Sequence, residues 1–164
     1  VCDAGPLIHL DELAALDVLR DFRHILVPPA VWSEVEHHRP SAVSQAVTSL
    51  TRVESGPEPD ASFATLAQAF SLDPGEREAL LVVREHPNAW LLSDDAAARL
   101  AAELLGIRAH GTIGLLIRAI RRGRRTPADV VTLVEELPAR SSLHIRPALL
   151  REVLDRLRRE FRDT

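Results

Sequence analysis

Five carboxylates stand where this chain could do chemistry: Asp3, Glu34, Glu76 and the adjacent pair Asp94-Asp95. Asp3 ends the short apolar run Val1-Cys2 and is followed by the chain-breaking Ala4-Gly5-Pro6, and Asp94-Asp95 ends Trp90-Leu91-Leu92-Ser93 in the same way. In an α/β sheet such stops fall at the carboxyl ends of strands, the edge where ligands and metals bind. Glu34, in Val31-Trp32-Ser33-Glu34-Val35, and Glu76, after Asp73-Pro74-Gly75, stand on helical segments between the two stops. Several carboxylates brought to one edge cannot all stay ionised without a compensating cation. Hard divalent ions such as Mg²⁺ and Mn²⁺ accept such oxygen donors and keep water in the remaining positions. A site of that kind lowers the pKa of bound water and clamps both oxygens of an in-line phosphoryl displacement. It needs neither a lysine nor a nucleophilic side chain.

Each acid also has a plain structural reading. Asp-Ala-Gly-Pro is good turn chemistry, Glu34 fits a helix surface, and Glu76 in a first turn favours the helix dipole. Asp94 and Asp95 suit a helix N-cap and the position after it, although capping needs only one carboxylate. The joint pattern is more specific than any single member. His37-His38 point apart on a helix and do not read as a metal pair. Ser33 and Ser93 lack a histidine partner at readable spacing, which argues against a nucleophilic triad. His110 reads as a structural or rim residue, and Cys2 as a small buried hydrophobe rather than a reactive thiol.

Composition narrows the field. At 164 residues, with 46% hydrophobic and 27% charged side chains, the chain is one ordinary globular domain. With only 4% aromatic residues, Ala, Leu and Val must build the core. One cysteine excludes an internal disulfide. No apolar run reaches the ~18 residues of a membrane span, so a soluble, cytoplasmic protein is expected. Almost no strand precedes Asp3, which points to a short segment ahead of Val1. All 20 basic residues are arginine. A P-loop needs its lysine, and receiver-type and haloacid-dehalogenase-type phosphoryl chemistry normally includes one, so those readings weaken. The net charge of −4 argues weakly against broad nucleic-acid binding. Two arginine clusters soften that, Arg118 to Arg125 and Arg151 to Arg162.

The elements that must position the acids follow from periodicity. Leu10, Leu13, Leu16 and Leu19 predict a helix over 7–22, and Ile25-Leu26-Val27 a buried strand. Pro28-Pro29 opens a helix to about Glu36. A short helix over 41–50, a strand over 51–53, a loop over 54–59 and a helix over 61–70 follow. A helix over 76–85, a strand over 90–92 and a helix over 94–105 ended by Gly106 come next. A last strand over 107–109 leads into a helix from Thr112 to Gly123, with helices over 127–136 and 147–161 behind it. Strands alternating with helices imply a mostly parallel sheet covered on both faces. The expected fold is a three-layer α/β/α sandwich with a short-stranded central sheet and a C-terminal helical tail. The expected division is a domain over 1–125 and a helical extension over 126–164 packed on it.

Five segments carry a resemblance: Asp3-Ala4-Gly5-Pro6-Leu7-Ile8, Val27 to Val35, Leu72-Asp73-Pro74-Gly75-Glu76-Arg77-Glu78-Ala79-Leu80, Leu91 to Asp95, and Gly111 to Leu116. Together they resemble a PIN domain, the nuclease fold of the VapC toxins of bacterial toxin–antitoxin pairs, and in particular a less characterised VapC-like branch. The resemblance implies a Mg²⁺- or Mn²⁺-dependent endoribonuclease. It implies that Asp3, Glu34, Glu76, Asp94 and Asp95 are catalytic, with Asp3, Asp94 and Asp95 as metal ligands. The choice between Asp94 and Asp95 stays open, with Asp94 favoured. Glu76 stands where the standard toxins usually carry aspartate. Thr112 resembles a hydroxyl residue at the pocket edge, and Arg118, Arg121 and Arg122 are expected at its rim, holding RNA. The implied partners are RNA, a cognate antitoxin and a second copy of the chain, with Phe63, Leu66 and Phe70 offered as apolar surface to the antitoxin. The alternatives are a catalytically weak PIN-like module that binds RNA or protein, and a DNA-directed nuclease of the flap-endonuclease kind, for which the chain is short.

Overall fold

In the computed structural model, residues 1–44, 50–53 and 58–161 are described. Helix α1 (Ala4–Glu12) is followed by a 3₁₀ helix (Leu16–Asp21), β1 (Ile25–Val27), α2 (Pro29–His38), α3 (Pro40–Ser44) and β2 (Leu50–Arg52). Then come α4 (Ala61–Ala69), α5 (Pro74–Arg84), β3 (Trp90–Leu92), α6 (Ala96–Leu104) and β4 (Arg108–His110). Helices α7 (Thr112–Arg121), α8 (Pro127–Arg140) and α9 (Pro147–Glu160) complete the order. The end of the helix expected over 41–50, most of the loop over 54–59, and Arg162 lie outside the described residues.

The strands form two parallel ladders, β1 with β2 and β3 with β4, in which Ile25 faces Leu50 and Leu92 faces His110. Residues 1–3 join them. Cys2 N–H donates to the Leu26 carbonyl at 2.9 Å, Asp3 N–H to the Leu92 carbonyl at 2.8 Å, and Leu92 N–H to the Val1 carbonyl at 2.8 Å. Cys2 bridges Leu92 in parallel. The spatial order is therefore β2, β1, residues 1–3, β3, β4. Asp3 leaves the middle of this array at its carboxyl edge, where the chain order reverses and binding crevices form.

Side chains alternate across the short strands, as strand geometry requires. Cys2, Ile25, Val27 and Leu92 enter one core with α1, α2, α3, α7, α8 and α9. Val1 and Leu91 enter a second core with α4, α5 and α6, against which Leu26 and Ala109 also pack. These two cores on opposite faces are the expected three-layer sandwich. The tail helices contribute Val130, Leu133, Val134, Leu137, Leu154 and Leu157 to the first core.

Three differences from the sequence reading have local causes. The helix expected over 7–22 is broken after Glu12. Ala15 N–H reaches back to the Leu10 carbonyl at 2.8 Å, and Ala14 takes a left-handed conformation with φ of 53°, a helix closure usually made by glycine. The leucine period survived because Leu7, Leu10, Leu13, Leu16 and Leu19 are all buried, so it reported burial and not one continuous helix. Helix α8 runs on through Pro138, beyond the expected end at 136. Phe63, expected to offer apolar surface on α4, is only 2% exposed and belongs to the second core.

Ala14 supplies a test of the break. A left-handed alanine is strained by about 1 kcal/mol, so Ala14→Gly should leave the fold intact and raise the unfolding free energy by up to that amount in urea titration. A loss of stability would show that the break is not held as described.

Candidate active site

Asp3 does three things at once. It ends the central segment, it caps α1 by accepting Ala4 N–H on Oδ1 at 2.8 Å, and it is the buried member of a group of acids whose charges act on it. Its side chain is held from the other side by Ser93, whose hydroxyl donates to Oδ2 at 2.8 Å and accepts Asp95 N–H at 3.2 Å. Ser93 is fully buried. One hydroxyl thus braces the two strand ends that carry Asp3 and Asp95.

The neighbouring acids arrive on helix starts. Asp73 and Glu76 close a capping box on α5: Asp73 Oδ1 accepts Glu76 N–H and Glu76 Oε2 accepts Asp73 N–H, each at 2.8 Å. Gly75 lets this turn lie against Asp3. A methyl group on its Cα would sit 3.4 Å from Asp73 Oδ1 and 3.7 Å from Asp3 Oδ1. Glu34 is carried by α2, whose first turn is tied to α5 because Glu78 Oε2 accepts Ala30 N–H at 2.8 Å. Asp95 caps α6, accepting Ala98 N–H at 2.8 Å.

The electrostatics report the crowding. Burial, the largest cause, pushes Asp3 up to about 6 against its bonds from Ser93 and Ala4, and the charges of Asp73 and Glu34 push the same way. Glu76 is pushed up to about 7, first by burial and then by the charges of Asp73, Asp95 and Asp3, against its bond from Asp73 N–H. Burial and Asp73 also raise Glu34, with His38 opposing. Asp73, which reads as a turn residue in the sequence, is thus a member of the cluster. Its only sequence signal is its place three residues before Glu76.

Asp94 turns elsewhere. Its Oδ1 accepts Thr112 N–H at 2.7 Å, and its Oδ2 takes the Thr112 hydroxyl at 2.6 Å and pairs with His9 Nδ1 at 2.8 Å. Burial alone would push its pKa up, but the bonds from His9 and Thr112 outweigh that and hold it below its ordinary range. Helix α7 has no cap of its own, since Gly111 occupies that position, and Asp94 supplies the anion from across the sheet edge. A methyl group on Gly111 would sit 2.6 Å from Asp94 Oδ1, so glycine is required for the latch to close. Of the pair, Asp95 is the member whose charge acts on Glu76, while Asp94 anchors α7 to α1.

The residues expected at the rim are placed differently. Thr112 is fully buried beneath Asp94, and its helix start is already spent on that carboxylate. Arg118 lies at the amino edge of the sheet, stacked 4.6 Å from the Trp90 ring centre and paired with Asp21 at 2.5 Å. Arg122 faces the same Asp21 at 3.5 Å, and Arg121 pairs with Glu160 at 2.9 Å. Helix α7 starts at the carboxyl edge and runs about 15 Å away from it, so its arginines end on the side opposite the acids.

The donor chemistry suits a hard divalent ion: oxygen ligands only, a desolvated aspartate at the floor, and mutual repulsion that a cation relieves. Among the described residues, no three His, Cys, Asp or Glu side chains are already gathered on one point. Glu34, Asp73 and Asp95 are exposed, and the caps made by Asp73 and Asp95 engage one oxygen of each, whereas Asp3 is buried and held on both oxygens. A parallel-sheet sandwich with carboxylates crowded at its switch point is the arrangement of nuclease-type domains that work through acid clusters. The chain belongs to the PIN-domain family DUF3368, whose family model matches residues 1–159. That span takes in α8 and nearly all of α9. PIN domains are usually hydrolytic nucleases and generally use divalent metal ions. No curated protein and no solved structure matches the chain. Among the described residues, no helix is long and apolar enough to cross a membrane.

The raised acids make stability depend on pH with a definite sign. Asp3 and Glu76 bind protons more tightly in the folded chain than in the unfolded one, where carboxyls titrate near 4. Between about pH 4 and 7 the native state holds the extra protons, so metal-free stability falls as pH rises. Asp3→Asn removes the contribution of the more deeply buried of the two acids. In chelator, the melting temperature of the variant should gain on the native chain between about pH 4 and 6 and level off above that; parallel curves would mean that Asp3 is not under strain.

Proposed function

We propose that this protein is a Mg²⁺- or Mn²⁺-dependent endoribonuclease that hydrolyses RNA phosphodiester bonds at the Asp3 crevice. The single observation that supports the reading most is the raised proton affinity of Asp3, Glu34 and Glu76 at one sheet edge. Acids held this way in a crevice mark a functional site more often than a structural one. Asp3 and Asp95 would hold the ion, with Glu34 and Glu76 completing the cluster and Asp73 beside them. A bound divalent ion supplies Lewis acidity and a more acidic water.

The chain's own groups do the positioning. Ser93 fixes the Asp3 carboxylate and steadies Asp95 through its N–H. Asp3 keeps acceptor capacity for a ligand, since each of its oxygens accepts one hydrogen bond. The Asp94 latch holds α1 and α7 against the end of β3 and leaves the neighbouring Asp95 turned toward Glu76. Asp94 is therefore a positioning residue in this reading. Its substitution should act on the geometry of the site and on stability together.

The resemblance to VapC-like toxins carries the remaining part of the proposal. The protein acts in the cytoplasm as the toxin of a type II toxin–antitoxin pair, held by a small antitoxin and working as a homodimer. Induced expression of the native chain should then arrest growth, and Asp3→Asn should not.

The direct test uses purified protein, single-stranded RNA and Mn²⁺. Asp3→Asn and Asp95→Asn should each lower the cleavage rate by about a hundredfold or more, as expected when a catalytic ion loses a ligand. Glu34→Gln should act in the same direction with a smaller loss. In calorimetry the native chain should bind Mn²⁺ and Asp3→Asn should not. A native chain that neither binds Mn²⁺ nor cuts RNA would leave the acids as helix caps, and the protein as a binding module built on the same fold.

A further inference from the structure

Helix α6 carries two charged groups near the sheet edge. Asp95 caps its start, and its charge acts on Glu76. Four residues on, about one turn along the same side of the helix, Arg99 lies over Gly111, where its Nη1 lies 3.0 Å from the position a methyl group there would take. On that side Asp94, Arg99, Gly111, Leu143, His144 and Leu149 line a pocket of about 120 Å³. It continues into a groove of about 770 Å³ between α6, β4 and α9, which shares Arg99, Gly111, Ile113, Gly114 and Leu149 and adds Ile107 and Val153.

The wall of this cleft is built in place. Residues 141–146, between α8 and α9, are pinned to α1 by one carboxylate oxygen. Glu12 Oε2 accepts Ser142 N–H at 2.7 Å, the Ser141 hydroxyl at 2.9 Å and the Ser142 hydroxyl at 3.1 Å. This holds Leu143, His144 and Ile145 beside Gly111 and Asp94.

Among the described residues, Arg99 is an arginine of this cleft with no hydrogen-bond or ion-pair partner. Both oxygens of Asp94 are taken by Thr112 and His9. Glu103 lines the groove one turn further along α6 and does not pair with Arg99 among the described residues. The other arginine of the groove, Arg108, stacks 4.9 Å from the Trp90 ring centre and donates to the Asn88 carbonyl at 3.3 Å. An exposed, unpaired guanidinium above glycine backbone, with an apolar floor of Ile107, Ile113 and Leu149 next to it, matches a phosphate and its attached base.

We propose that Arg99 binds a backbone phosphate of a single-stranded RNA next to the bond held at the acid cluster, and that the groove along α9 receives the adjoining nucleotide. This rests on the ribonuclease reading for the identity of the strand. The two sites lie about one helical turn apart on α6, ~5.4 Å, so one strand can meet Asp95 and Arg99 together. The tail helices then belong to the substrate path, since α9 and the 141–146 segment form its far wall.

The test measures binding apart from cutting. A short 5′-fluorescein-labelled single-stranded RNA is titrated with the full chain in chelator, by anisotropy, at several salt concentrations. Arg99→Gln should raise the Kd about tenfold and reduce the slope of log affinity against log salt by about 0.7. Arg99→Lys should fall between it and the native chain, and Arg20→Gln, an exposed arginine on the 3₁₀ helix, should change neither quantity. Circular dichroism checks that the variants fold. Equal affinity and equal slope for Arg99→Gln, or no RNA binding by the native chain, overturns the proposal. Cleavage with Mn²⁺ is scored separately. A native chain that binds RNA through Arg99 and never cuts it sinks the nuclease reading alone; one that cuts, with binding indifferent to Arg99, sinks this inference alone.

Discussion

Burying the carboxylate of Asp3 at the seam between two parallel ladders is unfavourable in itself, and much of the surrounding structure answers it. The seam exists because residues 1–3 take backbone hydrogen bonds from both sides, to Leu26 and to Leu92. Without them β1–β2 and β3–β4 would be two separate pairs, too small to be stable alone. The segment that unites the sheet therefore also carries the acid to its switch point. Ala4 N–H and the Ser93 hydroxyl satisfy that acid only in part, and the nearby charges of Asp73 and Glu34 oppose it. A cation is the obvious complement.

Two aspartates in succession divide two tasks that conflict. A carboxylate that anchors a helix start must keep its oxygens in hydrogen bonds, and one that receives a ligand must keep them open. Asp94 is spent on Thr112 and His9, and so ties β3, α7 and α1 into one unit. Asp95 keeps an exposed side chain and uses Oδ1 alone for its cap. The same division appears on α5, where the capping box engages Asp73 Oδ1 and Glu76 Oε2 and leaves each acid a second oxygen.

Much of this was legible in the residues. Short apolar runs that end in acids marked the strands and the carboxyl edge, because few other reasons place a charge there. The alternation of strands with helices gave the layers. What stayed hidden was set by distance in the chain. Ser93 looked inert because a hydroxyl without a histidine suggests no chemistry, yet it bonds a residue ninety positions away. His9 was masked by the leucine period of α1, and its partner lies on another element. Asp73 looked like turn chemistry because it is turn chemistry as well. The break at Ala14 has no local signal, since nothing about alanine favours a left-handed conformation. The arginines of α7 were misplaced because sequence proximity to Gly111-Thr112 says nothing about where a three-turn helix ends.

The lone cysteine gives the central segment a natural reporter. Cys2 has no exposure to solvent, and burial pushes its thiol far above the ordinary range. Its neighbours on either side are the backbone bonds that hold the two ladders together. A thiol in that position reacts only when residues 1–3 leave the sheet, so its alkylation rate counts openings of the seam and not motions of the surface. Anything that settles on Asp3 must slow that clock, because Asp3 and the thiol belong to the same three residues.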